Sequence, residues 1–279
     1  MPELSSSVAE YYDRNTRPFL NFFGSGAEVA AIHRQIWGPG VKTEREAFEF
    51  LNQLVANEVL GIKGEGLGRV LDLGCGIGGT ATWLAQRLGV TVTGLTISAV
   101  QAKLATERAR KLGLAERCEF VHGDFLDLPN IGPFEAAYAI ESFIHAESPA
   151  RFFTEAARVL RPGGRLVMCD DFLTEKPTPP EAKRWLNLFQ SGWHVANLNT
   201  VTAAQKQAEA AGFRFLTDRP LSPYLRPVPE WAVNLGAALL NFTPQSSKYW
   251  LSLRGSTALQ KCIREGWTEY HALVWEREQ

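Results

Sequence analysis

The chain has 279 residues, 45% of them apolar, with 29 basic against 30 acidic residues and a formal charge of −1. That length carries one large core, or one core with attached lids, and the near-neutral charge excludes a surface built to follow a nucleic-acid backbone. The chain has no charged-then-apolar leader and no apolar run of about 18 residues, which points to a cytoplasmic protein without a membrane span.

Residues 1–66 read as a largely helical lead segment carrying Tyr11, Tyr12, Phe19, Phe22, Phe23 and Trp37. Leu67–Leu73 follows as a short apolar strand. Next come a turn crowded with glycine, Gly74-Cys75-Gly76-Ile77-Gly78-Gly79, and a helix over Thr80–Leu88. Glycine at 74, 76 and 78 lets backbone approach a ligand where a Cβ would stand in the way. The helix start beyond the turn offers unpaired N–H groups. Strand and helix then alternate: strand Val90–Leu95, helix Ala99–Leu112, strands Cys118–His122 and Phe134–Ile140, helix Pro149–Leu160 and strand Arg165–Asp170. Arg161-Pro162-Gly163-Gly164 stops the helix from Pro149. Further on, Ala203–Ala211 reads as a helix, and Phe213–Thr217 and Tyr270–Glu276 as strands.

The alternation implies a doubly wound α/β fold whose mostly parallel sheet is buried on both faces. A last strand entering antiparallel would complete seven strands, its direction left open by the sequence. Outside the alternation stand the aromatic cluster Trp185, Phe189 and Trp193, and an insertion at 219–268 with helical stretches at Glu230–Leu240 and Gln245–Glu265. Cys75, Cys118, Cys169 and Cys262 are scattered without disulfide or metal spacing and read as small buried thiols.

The glycine pattern by itself also fits a dinucleotide fingerprint, Gly74-x-Gly76-x-x-Gly79. Two features count against that reading. Asp72 stands inside the strand, where a dinucleotide site keeps an apolar residue. About twenty residues on, where such a site needs an acid for the ribose, the chain reads Gly94-Leu95-Thr96-Ile97-Ser98.

Four stretches carry a resemblance: Val70–Gly79; Val92–Ser98 with Gln101; Gly123-Asp124-Phe125; and Leu160–Leu166. In their order and spacing they resemble class I S-adenosylmethionine-dependent methyltransferases. The nearest branch contains tocopherol, sugar and natural-product methyltransferases and prenyl-diphosphate C-methyltransferases. The resemblance implies a Rossmann-like core over about residues 66–218 plus the last strand, with S-adenosylmethionine as cofactor. It places the aminocarboxypropyl arm on Asp72 and the Gly74–Gly76 backbone, the ribose hydroxyls on Gln101, and the adenine amine on Asp124 beside the Phe125 backbone. The residues also admit plainer readings: Asp124 as a cap for Phe125–Leu128, Gln101 as a solvated helix residue, and Ser98 as a helix cap.

Methyl transfer from a sulfonium is an in-line displacement, so the protein chiefly aligns the acceptor and, where needed, removes a proton. Beyond the fourth strand the chain reads Glu141-Ser142-Phe143-Ile144-His145, too polar for a buried strand. It resembles the Glu-Ser-x-x-His segment of the same branch. By that resemblance His145 is a general base, with a pKa suited to neutral pH, and Glu141 a carboxylate that takes a proton from a carbocation. Asp170 and Asp171, at the end of the fifth strand, stand as candidates to orient or charge-stabilise the imidazole, with one of the two, left open by the sequence, read as only satisfying backbone groups. A capping histidine and a structural glutamate are the plainer alternatives. No Asn/Asp-Pro-Pro-aromatic element and no Pro-Cys nucleophile occurs at 140–143, so no nucleic-acid acceptor is expected.

Trp185, Trp193, Trp231, Trp250 and Trp267 lie in or beside the cap segments with Tyr224, Phe242 and Tyr249. Aromatic walls give area, rigidity and attraction for cations, although the same residues also suit a lid core or a homo-oligomer interface. Trp193-His194 resembles a substrate-facing pair in relatives, and Trp185 joins them as a candidate acceptor contact. The expected layout is a helical lid at 1–66, a cofactor core at 67–172, and core strands with a cap at 173–279. The expected activity is methyl transfer to an apolar or aromatic small molecule of specialised metabolism.

Two other readings stand beside it. One is C-methylation of a prenyl diphosphate or other isoprenoid alkene, with Arg14, Arg17, His33 and Arg34 as the anion site and magnesium entering only with a diphosphate. The other is a non-catalytic protein that binds the cofactor. No metal site of the chain's own is expected.

Overall fold

The computed structural model describes residues 8–14, 16, 30–61, 68–240 and 248–279. The expectations for Arg17, Phe19, Phe22, Phe23, Leu67 and Phe242, and for the Tyr249 side chain, lie outside what is described. Residues 8–14 are helical, but 30–43 are not, so the lead segment is only partly helical. Helix α1 (Glu44–Leu60) begins at a reciprocal cap: the Thr43 hydroxyl accepts from Glu46 N, and the Glu46 carboxylate accepts from Thr43 N. Each partner satisfies an N–H that the helix leaves open.

The alternation expected from apolar runs is present as β1 (Arg69–Leu73), α2 (Gly79–Leu88), β2 (Thr91–Thr96), α3 (Ala99–Lys111), β3 (Cys118–His122), β4 (Phe134–Ile140), α4 (Pro149–Val159) and β5 (Leu160–Leu173). After these come α5 (Pro180–Trp193), α6 (Val201–Ala210), β6 (Phe213–Pro220), α7 (Glu230–Leu240), α8 (Lys248–Arg264) and β7 (Thr268–Arg277). Ser98 and Ser148 cap α3 and α4, and Pro149 fills the first helical position, where no N–H is needed. Two expectations change. Strand β5 runs longer than Arg165–Asp170, and Arg161–Gly164 bulges out of it between the pairs Phe134–Leu160 and Ala136–Arg165. Residues 180–193, read only as an aromatic cluster, form a full helix.

The sheet order is β3-β2-β1-β4-β5-β7-β6, parallel except for β7, which runs antiparallel between β5 and β6. The order reverses between β1 and β4, and the crevice beyond the carboxyl ends of those strands is where such sheets bind ligands. One apolar layer, with Val70, Tyr138 and Val167, packs under α1 and α2. The other, with Leu71, Leu73, Phe152, Phe153 and Trp275, packs under α4 and α6. Alternation along β1 therefore puts Asp72 on the same face as Val70, directly opposite Tyr138 of β4.

The cap packs α5 against α8 where Gly192 meets Gly255. A Cβ on Gly192 would stand 2.5 Å from the Gly255 Cα, and one on Gly255 would stand 2.8 Å from the Gly192 Cα. Gly255→Val is therefore expected to cost about 1–3 kcal/mol, read as a lower urea midpoint with an unchanged far-ultraviolet spectrum of the native state.

Candidate active site

A cavity of about 930 Å³ opens beyond the carboxyl ends of β1, β2 and β4 and is roofed by residues of the N-terminal segment and the cap. Small-molecule sites run from about 300 to about 1,000 Å³, so this chamber stands at the upper end of that range. Asp72, Gly74, Gly76, Gln101, Asp124, Phe125, Glu141, His145, Asp170, Asp171 and Trp193 all line it. The structure brings together most of the residues singled out from sequence. Trp185 instead packs inside the cap with Ala182, Leu186 and Cys262, and His194 contributes backbone rather than a cavity wall.

At the cofactor end the turn after β1 is tight. Gly74 has φ +99°, and a Cβ there would run into the Ser142 side chain; Gly76 has φ +52° and nothing nearer to its Cβ position than 3.6 Å. Asp72 is buried and accepts a hydrogen bond from Tyr138 Oη at 2.7 Å. Burial pushes its carboxyl up, against the pull of that hydroxyl, to about 7. Among the described residues no cation pairs with it. An uncompensated carboxylate facing a cavity beside an open glycine turn suits the positively charged amine of an S-adenosylmethionine arm.

Gln101 is buried rather than solvated. Its Oε1 accepts from Thr96 Oγ1 at 2.7 Å, and its Nε2 donates to Thr16 Oγ1 at 3.1 Å. Ser98 is the helix cap, with Oγ accepting from Gln101 N and donating to Asp13 Oδ1. Asp124 Oδ1 accepts from Leu126 N at 2.8 Å, so it fixes the next turn while also lining the cavity.

At the reacting end, Phe143–His145 forms a single 3₁₀ turn. Phe143 anchors it among Phe152, Phe153 and Phe172, with the nearest ring centroids 5.1 Å apart. Asn197 Nδ2 donates to both Phe143 O and Ala146 O, bracketing the turn, and Asp170 Oδ2 accepts from Ile144 N. His145 Nδ1 faces the His194 carbonyl at 3.1 Å. A carbonyl only accepts, so Nδ1 carries the proton and Nε2 keeps its lone pair, on which Tyr12 Oη donates at 2.9 Å. Burial lowers the imidazole pKa, only partly opposed by the His194 carbonyl, and so favours the neutral base.

Asp170 and Asp171 do not orient this ring. Asp170 holds the backbone N–H groups of Ile144 and Asp171, while Asp171 takes a bidentate pair from Arg34 at 2.5 and 3.1 Å. The His194 backbone, turned by a φ of +53°, does the orienting.

Arg34 also donates to Glu141 Oε1 from its backbone N and its Nε, and its guanidinium lies 4.3 Å over the Tyr270 ring. Tyr270 Oη gives Oε1 a third bond, and Oε2 takes none of the three. Burial raises the Glu141 carboxyl, but Arg34 and His33 pull it back below the usual range, so it stays ionised. Its φ of +49°, unusual outside glycine, is the kind of strained conformation that concentrates at working sites. Of the basic residues read as an anion site, the three described ones are otherwise placed: Arg34 serves two carboxylates, Arg14 pairs with Glu10, and burial lowers the His33 pKa. Arg34→Met would leave Asp171 and Glu141 buried without their cation. It is expected to cost about 3–5 kcal/mol of stability in urea unfolding.

Sequence reasoning missed Tyr138, Asn197 and the Tyr12 hydroxyl as parts of the site. Tyr138 carried a signal, being the lone hydroxyl in a strand whose only other polar residue is Glu135, directly preceding the Glu141 segment.

Comparison with known proteins gives a methyltransferase domain matched over residues 70–164. The chain is 31% identical over 263 residues to a 24-methylenesterol C-methyltransferase of Oryza sativa, covering 90% of this chain and 69% of that protein. The chain belongs to the S-adenosylmethionine-dependent methyltransferases. A 27-O-demethylrifamycin SV methyltransferase of Amycolatopsis mediterranei is 31% identical, covering 76% of this chain and 80% of that one. Methyltransferase GfsG of Streptomyces halstedii is 45% identical over 103 residues, and the chain spans only 37% of its length. Among solved structures, the [4+2]-cyclase SpnF aligns with a TM-score of 0.74 at 28% identity, covering 98% of this methyltransferase and 97% of that chain. A geranyl diphosphate methyltransferase aligns with a TM-score of 0.75 at 21% identity, covering 98% and 99%, a likeness of fold.

Proposed function

We propose that this methyltransferase methylates a hydroxyl or other protic heteroatom of an apolar or aromatic small molecule of specialised metabolism, in the cytoplasm, with His145 as the base. The observation that carries the reading is the fixed tautomer of His145, whose Nε2 lone pair points to a cavity-side hydroxyl. When bound, the donor supplies an electrophilic methyl group on a cationic sulfur, which passes to the acceptor as the carbon–sulfur bond breaks. Asp72 holds the amine of the donor's arm, Gly74 and Gly76 admit it against backbone, Gln101 with Thr16 takes the ribose diol, and Asp124 with the Phe125 backbone takes the adenine. An acceptor hydroxyl replaces Tyr12 Oη at Nε2 and gives up its proton there. Trp193, packed beside Phe189 and Leu259, walls the acceptor side. In this reading 1–66 is the lid, 67–172 the donor core and 173–279 the acceptor half.

A second reading rests on Glu141: its Oε2 lies outside the three-bond cluster on Oε1 and suits removal of a proton from a carbocation formed by methylating an isoprenoid alkene. An acceptor screen with labelled methyl donor, run on the wild type, His145→Ala and Glu141→Gln, separates the two. Labelled ethers or amines lost in His145→Ala support the first, and labelled alkenes lost in Glu141→Gln support the second. Donor binding with no labelled product from any acceptor overturns both.

A further inference from the structure

Of the seven large apolar side chains exposed among the described residues, five lie between 228 and 253 in the cap: Val228, Trp231, Leu235, Leu239 and Leu253. On α7 the exposed stripe is Trp231, Leu235 and Leu239, four residues apart, with Trp231 71% exposed; Val233 and Leu240 turn inward. The helix thus shows an apolar face to the outside as well as to the protein. A contiguous patch of this kind marks a docking surface.

The stripe adjoins the cavity. Arg226 and Pro227, immediately before Val228, line the cavity, and Gln260 of α8 both lines it and accepts from Val228 N at 2.9 Å. Charge identifies the occupant. Residues 226–265 hold five basic residues, Arg226, Lys248, Arg254, Lys261 and Arg264, against two acids, Glu230 and Glu265, which pair with Arg264 and Lys261. The rest of a chain with net charge −1 is correspondingly acidic. An apolar helix face with a Trp at one end, set in a basic cap on an otherwise acidic molecule, has the make-up of an interfacial helix on an anionic lipid surface. A second copy docked on the same face would bring two positively charged caps together. No helix among the described residues is long and apolar enough to cross a membrane, so the contact is peripheral.

We propose that α7 docks this protein onto anionic membranes through Trp231, Leu235 and Leu239, turning the cavity mouth toward lipid. That an apolar acceptor enters from the lipid rests on the proposed function; the docking itself does not.

The test is co-sedimentation of the full chain with vesicles of phosphatidylcholine mixed with phosphatidylglycerol, and with vesicles of phosphatidylcholine alone. The wild type is expected to bind the mixed vesicles and to lose affinity as salt rises. Trp231→Ala and Leu235→Glu are each expected to weaken binding about tenfold or more, the loss expected when an apolar side chain is withdrawn from lipid. S-adenosylhomocysteine affinity and melting temperature should hold, and Leu239→Gln provides an independent third variant. Failure to bind the mixed vesicles, or equal binding by wild type and all three variants, overturns the proposal. So does a wild-type dimer in light scattering that Leu235→Glu converts to monomer, which would assign the stripe to a second copy.

Discussion

Replacing His145 by alanine is expected to lower kcat about 10²–10⁴-fold, the usual worth of a positioned general base, while the affinity for S-adenosylhomocysteine stays within about twofold. The separation follows from placement. The ring stands at the acceptor end, held by the His194 carbonyl and Tyr12 Oη, and these are its hydrogen-bond partners among the described residues. The pH profile gives an independent check. Burial lowers the imidazole pKa below its ordinary 6.5, so the neutral, proton-accepting form persists to more acidic pH than for a solvated histidine. The kcat should rise with pH through that depressed pKa and level off by about neutrality, and in His145→Ala this acid limb should vanish. Equal loss of turnover and of product affinity would make the 142–146 turn a cofactor support instead. Tyr12→Phe should shift the midpoint of the limb, because it removes the donor on Nε2 without removing the base.

Much of the scaffold was legible because its cues are local. β3 and β4 have the boundaries read from their apolar runs, since polar residues and turns flank them directly. Helix α5 was readable in part: Phe189 and Trp193 follow Trp185 at spacings of four, and Pro180 is a favoured first residue. The loop-like Lys176-Pro177-Thr178-Pro179 run before it masked that pattern. The cofactor turn could be read for the same local reason, strand, glycines and helix being contiguous.

The wiring of the reacting end could not be. Arg34 meets Glu141 across 107 positions and Asp171 across 137. No periodicity signals which of several arginines crosses that distance. Asp170 and Asp171 are adjacent and chemically alike, yet strand alternation sends one to backbone N–H groups under the turn and the other to a guanidinium. Residue type gave the right members of the site; only packing assigned their partners. That division bears on function, because orientation of the base falls to a backbone carbonyl in a left-handed C-cap, and a carbonyl is invisible to any side-chain pattern.

Asp72→Asn is expected to trade cofactor affinity for stability of the unliganded protein, and the two effects have opposite signs for one reason. The carboxyl is raised by burial from 3.8 to about 7, so in the unliganded fold its ionised form is penalised. Below pH 4 the group is protonated both folded and unfolded, and the penalty is absent. As pH climbs toward 7 the unfolded chain has released this proton and the folded chain has not. Stability therefore falls by about 1.4 kcal/mol per pH unit, reaching on the order of 4 kcal/mol before levelling off above pH 7. Asparagine keeps an oxygen for Tyr138 Oη and carries no charge, so unliganded Asp72→Asn should gain on the wild type between pH 5 and 7 and hold a constant advantage above. Urea unfolding at several pH values measures the difference. A bound cation reverses the balance by pairing with the carboxylate. Losing one partner of such a buried pair costs about 2 kcal/mol or more, so S-adenosylmethionine should bind the variant roughly 30-fold more weakly in calorimetry. Unchanged donor affinity would remove Asp72 from the cofactor site. A variant no more stable than wild type at pH 8 would mean that some other group already neutralises the carboxylate.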